Sequence, residues 1–164
     1  LDAFAVGLGV REVYIAGRDP ARAAGLAAHG RAAGLQAAVV ADPAVVLAQV
    51  PLIVTATTSP TPVLPAAVRP DAFIAAVGAY QPQQAELPAA LVHAARVYVD
   101  TLAGAQAEAG DLIQARLDWS TVTPLADALD LPRPATGPVI FKSVGHALWD
   151  LAAARLAWRG VVRG

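Results

Sequence analysis

The chain has 164 residues, of which 56% are apolar and 15% are charged, and its formal net charge is −1 at pH 7. A chain of this length suits one domain with a sizeable core. A nearly neutral chain has no basic field to attract nucleic acid or an anionic membrane, so neither partner is expected. Cysteine is absent and the three histidines are widely spaced, which argues against disulfides and against a metal site.

The apolar stretches are too short for a membrane-spanning helix, which needs roughly 20 residues. The stretch 45–57, for example, is interrupted by Gln49 and Pro51. The sequence begins at Leu1 without the basic and apolar regions of a signal peptide. We therefore expect a soluble, cytoplasmic protein whose printed sequence starts at an internal point.

Short β-branched runs alternate with alanine-rich stretches along the chain. The runs cover residues 12–16, 36–40, 52–56, 73–77, 96–100 and 138–141. Near-continuous apolar strands separated by helices are typical of a parallel sheet covered on both faces. The sequence therefore predicts an α/β fold of the Rossmann type over residues 1–164, with a doubly wound, mostly parallel sheet and helices on both faces.

Proline and aspartate mark the predicted helix starts. Asp19-Pro20 and Asp42-Pro43 each place a capping carboxylate before a proline at the first helical position. The first of these helices is expected to stop near Gly30. Leu87-Pro88 is predicted to open another helix, which carries apolar side chains toward the core.

The last segment, 138–164, reads as a strand followed by an amphipathic helix. Leu148, Leu151, Ala152 and Arg155 are spaced three and four residues apart, as on one helix face. We expect this strand and helix to pack toward a second domain.

A glycine pair near the start of the chain resembles a phosphate-binding loop but lacks its context. Ala5-Val6-Gly7-Leu8-Gly9 contains G-x-G, yet the next strand follows within about two residues and leaves no room for the helix of that motif. We interpret residues 1–6 as the tail of a helix that Gly7 or Gly9 caps. The first strand and the glycine loop of the fold are then expected upstream of Leu1.

Arginine and aspartate follow the first predicted strand. If the first strand of the fold lies upstream, this strand corresponds to the second strand of a dinucleotide-binding fold. An acidic residue at the end of that second strand accepts the ribose hydroxyl of NAD, whereas an arginine suits the phosphate of NADP. Arg18 and Arg22 favour NADP, although a solvated arginine beside a helix cap is an equally good reading of Arg18. Asp19 is better explained as the cap than as a ribose ligand.

Three further strand ends carry small or polar residues at the edge where open α/β sheets bind ligands. Thr55 to Ser59 allow close approach of a ribose, and Gly78 would let the backbone pass near a nicotinamide ring. Tyr80 either faces substrate or packs. Residues 142–146 link a strand to a helix, so their free amides form a candidate site for an anionic or amide group.

Other titratable groups offer weaker candidates. His146 is either a proton donor or, as is more common, a structural histidine in a first helical turn. The carboxylates at Glu86, Asp100, Glu108 and Asp111 form no convincing pair, and we interpret them as caps and surface charges.

Three separated blocks, residues 54–64, 76–87 and 141–154, together resemble the ornithine cyclodeaminase/mu-crystallin family in order and spacing. The resemblance implies a Rossmann domain combined with a dimerising domain, and hence a homodimer. It also implies a nicotinamide cofactor, with NADPH preferred and NADH possible. The cofactor contacts that it implies are Gly17, Arg18, Asp19, Arg22, Thr55, Ala56, Thr57, Val77, Ser143 and Gly145.

One departure from the family pattern selects a branch. Ornithine cyclodeaminases have an aspartate where this chain has Tyr80, and a tyrosine cannot replace that carboxylate base. The sequence is therefore closest to the ketimine reductase branch, which implies reduction of 1-pyrroline-2-carboxylate or 1-piperideine-2-carboxylate to proline or pipecolate. An NAD-dependent cyclodeaminase or amino-acid dehydrogenase, and a non-catalytic protein that binds a small ligand, remain alternatives.

Overall fold

The computed structural model describes residues 1–132, 134 and 136–162. The chain divides into two compact units, residues 1–48 and 49–164. Each unit is built around its own parallel sheet. That the two form one dinucleotide-binding domain stays a prediction.

The first unit alternates helices and strands. Its elements are α1 (Asp2–Leu8), β1 (Glu12–Ile15), α2 (Pro20–Ala32), β2 (Gln36–Val39) and α3 (Ala44–Leu47). The two strands pair in parallel along their whole length. Ile15, Ala23, Ala27 and Ala37 form the core, in which small side chains let α2 pack closely on the strands.

The helix ends of this unit confirm two predictions and correct a third. Gly9 caps α1 in the left-handed conformation with φ 67°, so the G-x-G pair ends a helix. Asp19 caps α2, because its Oδ1 accepts hydrogen bonds from the amides of Ala21 and Arg22. The predicted stop near Gly30 is wrong, since α2 runs on to Ala32. Gly30 is buried, and a Cβ there would lie 3.1 Å from the Cβ of Ala37, so this glycine permits close helix–strand packing.

The second unit contains the larger sheet. Its strands are β3 (Leu52–Thr55), β4 (Phe73–Ala76), β5 (Arg96–Val99), β6 (Thr123–Pro124) and β7 (Val139–Lys142). Its helices are α4 (Ala89–Ala94), α5 (Leu102–Glu108), α6 (Gly110–Gln114), α7 (Leu125–Ala128) and α8 (Ala147–Val162), with a 3-10 turn at Trp119–Thr121. The strand order is β3-β4-β7-β5-β6 and every pairing between them is parallel. The predicted parallel α/β sheet is thus confirmed, while β6, at two residues, was too short to predict.

The two faces of this sheet differ in burial. Ile53, Ile74, Val97 and Ile140 lie on one face and are all buried. The opposite face is partly open, with Val54 at 47% and Phe73 at 39% exposure. The core of the unit therefore lies on the first face.

Helix α8 forms where the sequence predicts it, but its large apolar side chains are exposed. Leu156 and Trp158, for example, are 73% and 69% exposed. Trp149 stacks on Phe141, with ring centroids 6.4 Å apart. Packing of this helix toward a second domain stays a prediction. Within the described ranges, no helix is both long and apolar enough to cross a membrane.

The two faces of the larger sheet should differ sharply in their sensitivity to truncation. Ile140→Ala removes a fully buried side chain from the middle of the sheet and should lower the free energy of unfolding by about 2–5 kcal/mol. Val54→Ala, on the partly open face, should cost about 0.5 kcal/mol. Chemical denaturation of both variants measures the difference, and equal losses would contradict this assignment of the core.

Candidate functional site

The carboxyl ends of four strands meet at one edge of the larger sheet. Thr55 pairs with Ala76, and Ala76 and Val99 both pair with Lys142. The residues that follow, at positions 56, 77, 100 and 143, therefore lie side by side along that edge. Open α/β sheets bind their ligands at this edge.

The predicted cofactor contacts of the second unit fall into two groups. Ala56, Thr57, Val77 and Gly145 are exposed, whereas Thr55 and Ser143 are buried. The exposed group is accessible to a ligand along the edge. The two buried hydroxyl groups are instead bonded to carboxylates within the protein.

Glu86 joins the ends of β3 and β4. Its side chain is fully buried, and its Oε2 accepts hydrogen bonds from Thr55 Oγ1 at 3.0 Å and from the amides of Gly78 and Ala79 at 2.8 and 3.2 Å. Its Oε1 accepts from the amide of Thr57. The interpretation of Glu86 as a cap or surface charge is therefore wrong.

Gly78 is required by this same junction. A Cβ at Gly78 would lie 2.1 Å from the carbonyl oxygen of Thr57 and 2.4 Å from Glu86 Oε1. We expected this glycine to make room for a nicotinamide ring. In the structure it makes room for the neighbouring strand end and for the buried carboxylate.

Asp111 and Lys142 form a buried ion pair beside Glu86. Both side chains are inaccessible, and Lys142 Nζ lies 2.9 Å from Asp111 Oδ2. The other carboxylate oxygen of Asp111 accepts hydrogen bonds from the amides of Glu86 and Leu87. Asp111 is therefore also not the surface charge that we expected, and it connects the end of β7 to the loop after β4.

Asp100 holds the turn that follows β7. Its Oδ2 accepts hydrogen bonds from Ser143 Oγ at 3.1 Å and from the amides of Val144 and Gly145 at 2.9 and 2.8 Å. The prediction that the amides of this turn are free is wrong, because a buried carboxylate of the protein already occupies them. Contacts of Ser143 and Gly145 with a cofactor stay a prediction. Of the four carboxylates, Glu108 is the exposed one.

The two candidate pocket residues differ in their surroundings. Tyr80 is 46% exposed, and its backbone amide donates to Gln84 Oε1 at 3.0 Å. The exposed His146 accepts a hydrogen bond at Nδ1 from the amide of Leu148, in the first turn of α8. This contact favours the structural reading of His146, whereas the ring of Tyr80 remains available at the ligand edge.

In the first unit, the predicted contacts with an adenosine phosphate lie at the end of β1 and the start of α2. Gly17, Arg18, Asp19 and Arg22 are all exposed. The side chain of Asp19 caps α2 and lies 3.4 Å from Arg22 Nε. Arg18 makes no ion pair within the part of the chain that the structure describes.

The buried charges at the ligand edge were not predicted, although the sequence carries one signal of them. Lys142 is two residues after Ile140 in a four-residue strand, so the two side chains share the buried face. A lysine on a buried face needs a buried carboxylate partner. The alternation of side chains in β7 thus implied a buried acidic partner for Lys142, but it did not identify that partner as Asp111.

A parallel sheet with these ligand-edge residues defines a Rossmann-type α/β protein. The chain belongs to the ornithine cyclodeaminase/mu-crystallin family, which it matches over residues 1–163. This confirms the resemblance inferred from the three sequence blocks.

Individual proteins of known name are also similar to this chain, in agreement with the family assignment. The chain is 50% identical over 106 residues to a Delta(1)-pyrroline-2-carboxylate/Delta(1)-piperideine-2-carboxylate reductase of Azospirillum brasilense, a match covering 65% of this chain and 34% of that protein. The iminosuccinate reductase of Paracoccus denitrificans in complex with NAD+ is 27% identical, with a TM-score of 0.78 over 88% of this chain and 47% of that one. The Delta(1)-pyrroline-2-carboxylate reductase of Thermococcus litoralis, in complex with NADH and L-proline, shares the fold at 20% identity, with a TM-score of 0.87 over 99% of this chain and 54% of that one. The chain therefore spans only part of the length of these relatives.

Breaking the buried ion pair should be costly. Lys142→Met leaves the carboxylate of Asp111 buried without its cation and should lower the free energy of unfolding by about 3–5 kcal/mol. Adding Asp111→Asn removes the unpaired charge while an amide oxygen can still accept from Glu86 and Leu87. The double variant should therefore lose less than the sum of the two single losses. A double-mutant cycle by urea denaturation measures this coupling, and additive losses would show that the pair is not coupled.

Gly78 offers a second test of the strand-end junction. Gly78→Ala should lower the free energy of unfolding by about 1–3 kcal/mol, because the added methyl group overlaps the backbone of Thr57. The matched control is Gly25→Ala, at an open position within α2, which should raise stability by about 0.5–1 kcal/mol. Thermal and chemical denaturation compare the two, and a harmless Gly78→Ala would be evidence against the close approach.

Proposed function

We propose that the full-length protein carrying this chain is an NADPH-dependent reductase of a cyclic imine. The substrate is 1-pyrroline-2-carboxylate or 1-piperideine-2-carboxylate, and the product is proline or pipecolate. The observation that carries the proposal is the 50% identity to the Azospirillum reductase of these two substrates over 106 residues. The loop after β4 supports the proposal, because its Tyr80 and Val77 are both exposed at the ligand edge.

The residues at the ligand edge fit a nicotinamide cofactor. Ala56 and Thr57 are small and exposed, so they leave space for a ribose beside the end of β3. Val77 is 45% exposed next to them and offers an apolar surface to a ring. When bound, the reduced nicotinamide supplies the hydride that adds to the C=N carbon of the protonated imine.

The protein's own part is orientation. Glu86 and Asp100 fix the strand ends beneath the ligand edge, so the groups that face a ligand are held before it binds. Tyr80 extends from the loop after β4 and shapes the substrate side. Ser143 to Gly145 border the same edge at the end of β7.

A preference for NADPH over NADH is proposed from the first unit. Arg18 is exposed and free to pair with a phosphate, and Arg22 is one helical turn further along. Asp19 has one oxygen engaged with the amides that it caps, which makes it a poor acceptor for a ribose hydroxyl. Both features favour a 2′-phosphate on the adenosine ribose.

Two further properties belong to the proposal. A homodimer is proposed from the family and from the exposed apolar side chains of α8, since apolar patches of this kind mark interaction surfaces. Light scattering on the full-length protein reports the oligomeric state, and a monomer would overturn the dimer. A cytoplasmic location is retained as a prediction.

Cofactor titration and turnover together test the proposal. Full-length protein should bind NADPH more tightly than NADH and should consume it with either cyclic imine. Arg18→Ala should weaken NADPH binding by about tenfold while leaving NADH nearly unchanged, because it removes a charge-assisted hydrogen bond to phosphate. Arg11→Ala is the matched control, as Arg11 is also exposed but precedes β1 instead of following it.

Each other outcome has a distinct meaning. Binding without turnover of either imine would support a non-catalytic ligand-binding role. A preference for NADH together with release of ammonia from ornithine would identify a cyclodeaminase instead. Absence of binding to both dinucleotides would refute the cofactor assignment.

A further inference from the structure

We propose that Glu86 is a positioning residue of the dinucleotide site, whose carboxylate sets the relative placement of the loops after β3 and β4. The inference rests on the function proposed above, because those loops carry Thr57 and Val77. Glu86 is not expected to touch substrate or cofactor.

The carboxylate of Glu86 accepts four hydrogen bonds from within the protein. Oε2 accepts from the hydroxyl of Thr55 and from the amides of Gly78 and Ala79, and Oε1 accepts from the amide of Thr57. Its side chain is fully buried, so neither oxygen has room for a ligand atom. Glu86 can therefore act on a ligand only through the residues that it binds.

These bonds determine which groups remain for a ligand. The amides of Thr57, Gly78 and Ala79 are all directed at Glu86, so they are not available to a ribose or to a nicotinamide amide. The side chains of Thr57 and Val77 stay exposed beside them. The buried carboxylate thus turns the donors of two loops inward and leaves their side chains at the ligand edge.

The backbone of Glu86 is fixed by a second buried carboxylate, that of Asp111. Its backbone amide donates to Asp111, and Asp111 pairs with Lys142 at the end of β7. The ends of β3, β4 and β7 are therefore connected through a chain of contacts that runs from Glu86 to Asp111 and from Asp111 to Lys142. Because a buried charge is costly unless it is fully bonded, displacement of one strand end would leave polar groups unpaired in all three. A ligand edge built this way is rigid before a ligand binds.

Glu86→Gln tests this role with little change in volume. A glutamine has one acceptor oxygen, and its NH2 group would face an amide N–H donor either at Thr57 or at Gly78 and Ala79. The control is Leu91→Ala, which removes a fully buried side chain from α4 that takes no part in the hydrogen bonds of Glu86. Cofactor affinity by fluorescence titration, thermal stability, and hydrogen exchange at the amides of residues 57, 78 and 79 are measured for both variants of the full-length protein.

We expect Glu86→Gln to raise the Kd for NADPH by about tenfold or more, since small misplacements of binding groups are expensive. Exchange at the three amides should accelerate. Leu91→Ala should lower the melting temperature while keeping the Kd within about twofold of the unmodified protein, because Leu91 contributes none of the hydrogen bonds of the Glu86 carboxylate.

The results separate this inference from the proposed function. An unchanged Kd in Glu86→Gln, with tight binding by the unmodified protein, would overturn the positioning role alone. A Kd raised equally by Leu91→Ala would also overturn it, because the effect would then follow from lost stability. Absence of dinucleotide binding by the unmodified protein would instead refute the proposed function on which the inference rests.

Discussion

The carboxylate of Glu86 is the contact on which the ligand edge of the larger sheet depends. Parallel strands are joined to each other along their length, but the loops that leave their carboxyl ends have no ladder to hold them. Glu86 supplies that restraint for β3 and β4, and Asp100 supplies it for the turn after β7. Each is a buried charge whose cost is offset by several charge-assisted hydrogen bonds. The strand ends at this edge are therefore joined by hydrogen bonds to buried carboxylates, whereas the centre of the sheet is apolar.

Much of the fold follows from the sequence because its signals are local. Alternation of apolar runs with alanine-rich stretches predicts six of the seven strands found in the described ranges, and Asp19 before a proline predicts the start of α2. Gly9 is recognisable as a helix cap because the next strand follows too soon for a phosphate loop. The family is recognisable because three blocks match in order. All of these inferences need only neighbouring residues or their spacing.

The misreadings concern contacts between residues far apart in the chain. Glu86 and Thr55 are 31 residues apart, and the turn at Gly145 is 45 residues from Asp100. Composition cannot distinguish a carboxylate that caps a nearby helix from one that bonds a distant strand end. The helix stop predicted near Gly30 was wrong for a more local reason: helix propensity alone favours a stop at glycine, whereas Gly30 packs against Ala37 of the next strand and α2 continues to Ala32. Tertiary packing decided each case.

The position of β7 has a consequence for how the second unit is made. Among the strands that the structure describes, β7 comes last in the sequence, yet it lies between β4 and β5 and pairs with both along its length. During synthesis, β4 and β5 emerge well before the strand that joins them. Until β7 arrives, each presents an unpaired apolar edge, which is the situation in which strands associate with the wrong partner. The ion pair between Lys142 and Asp111 can form only at that late stage, when β7 inserts between β4 and β5 and completes the sheet.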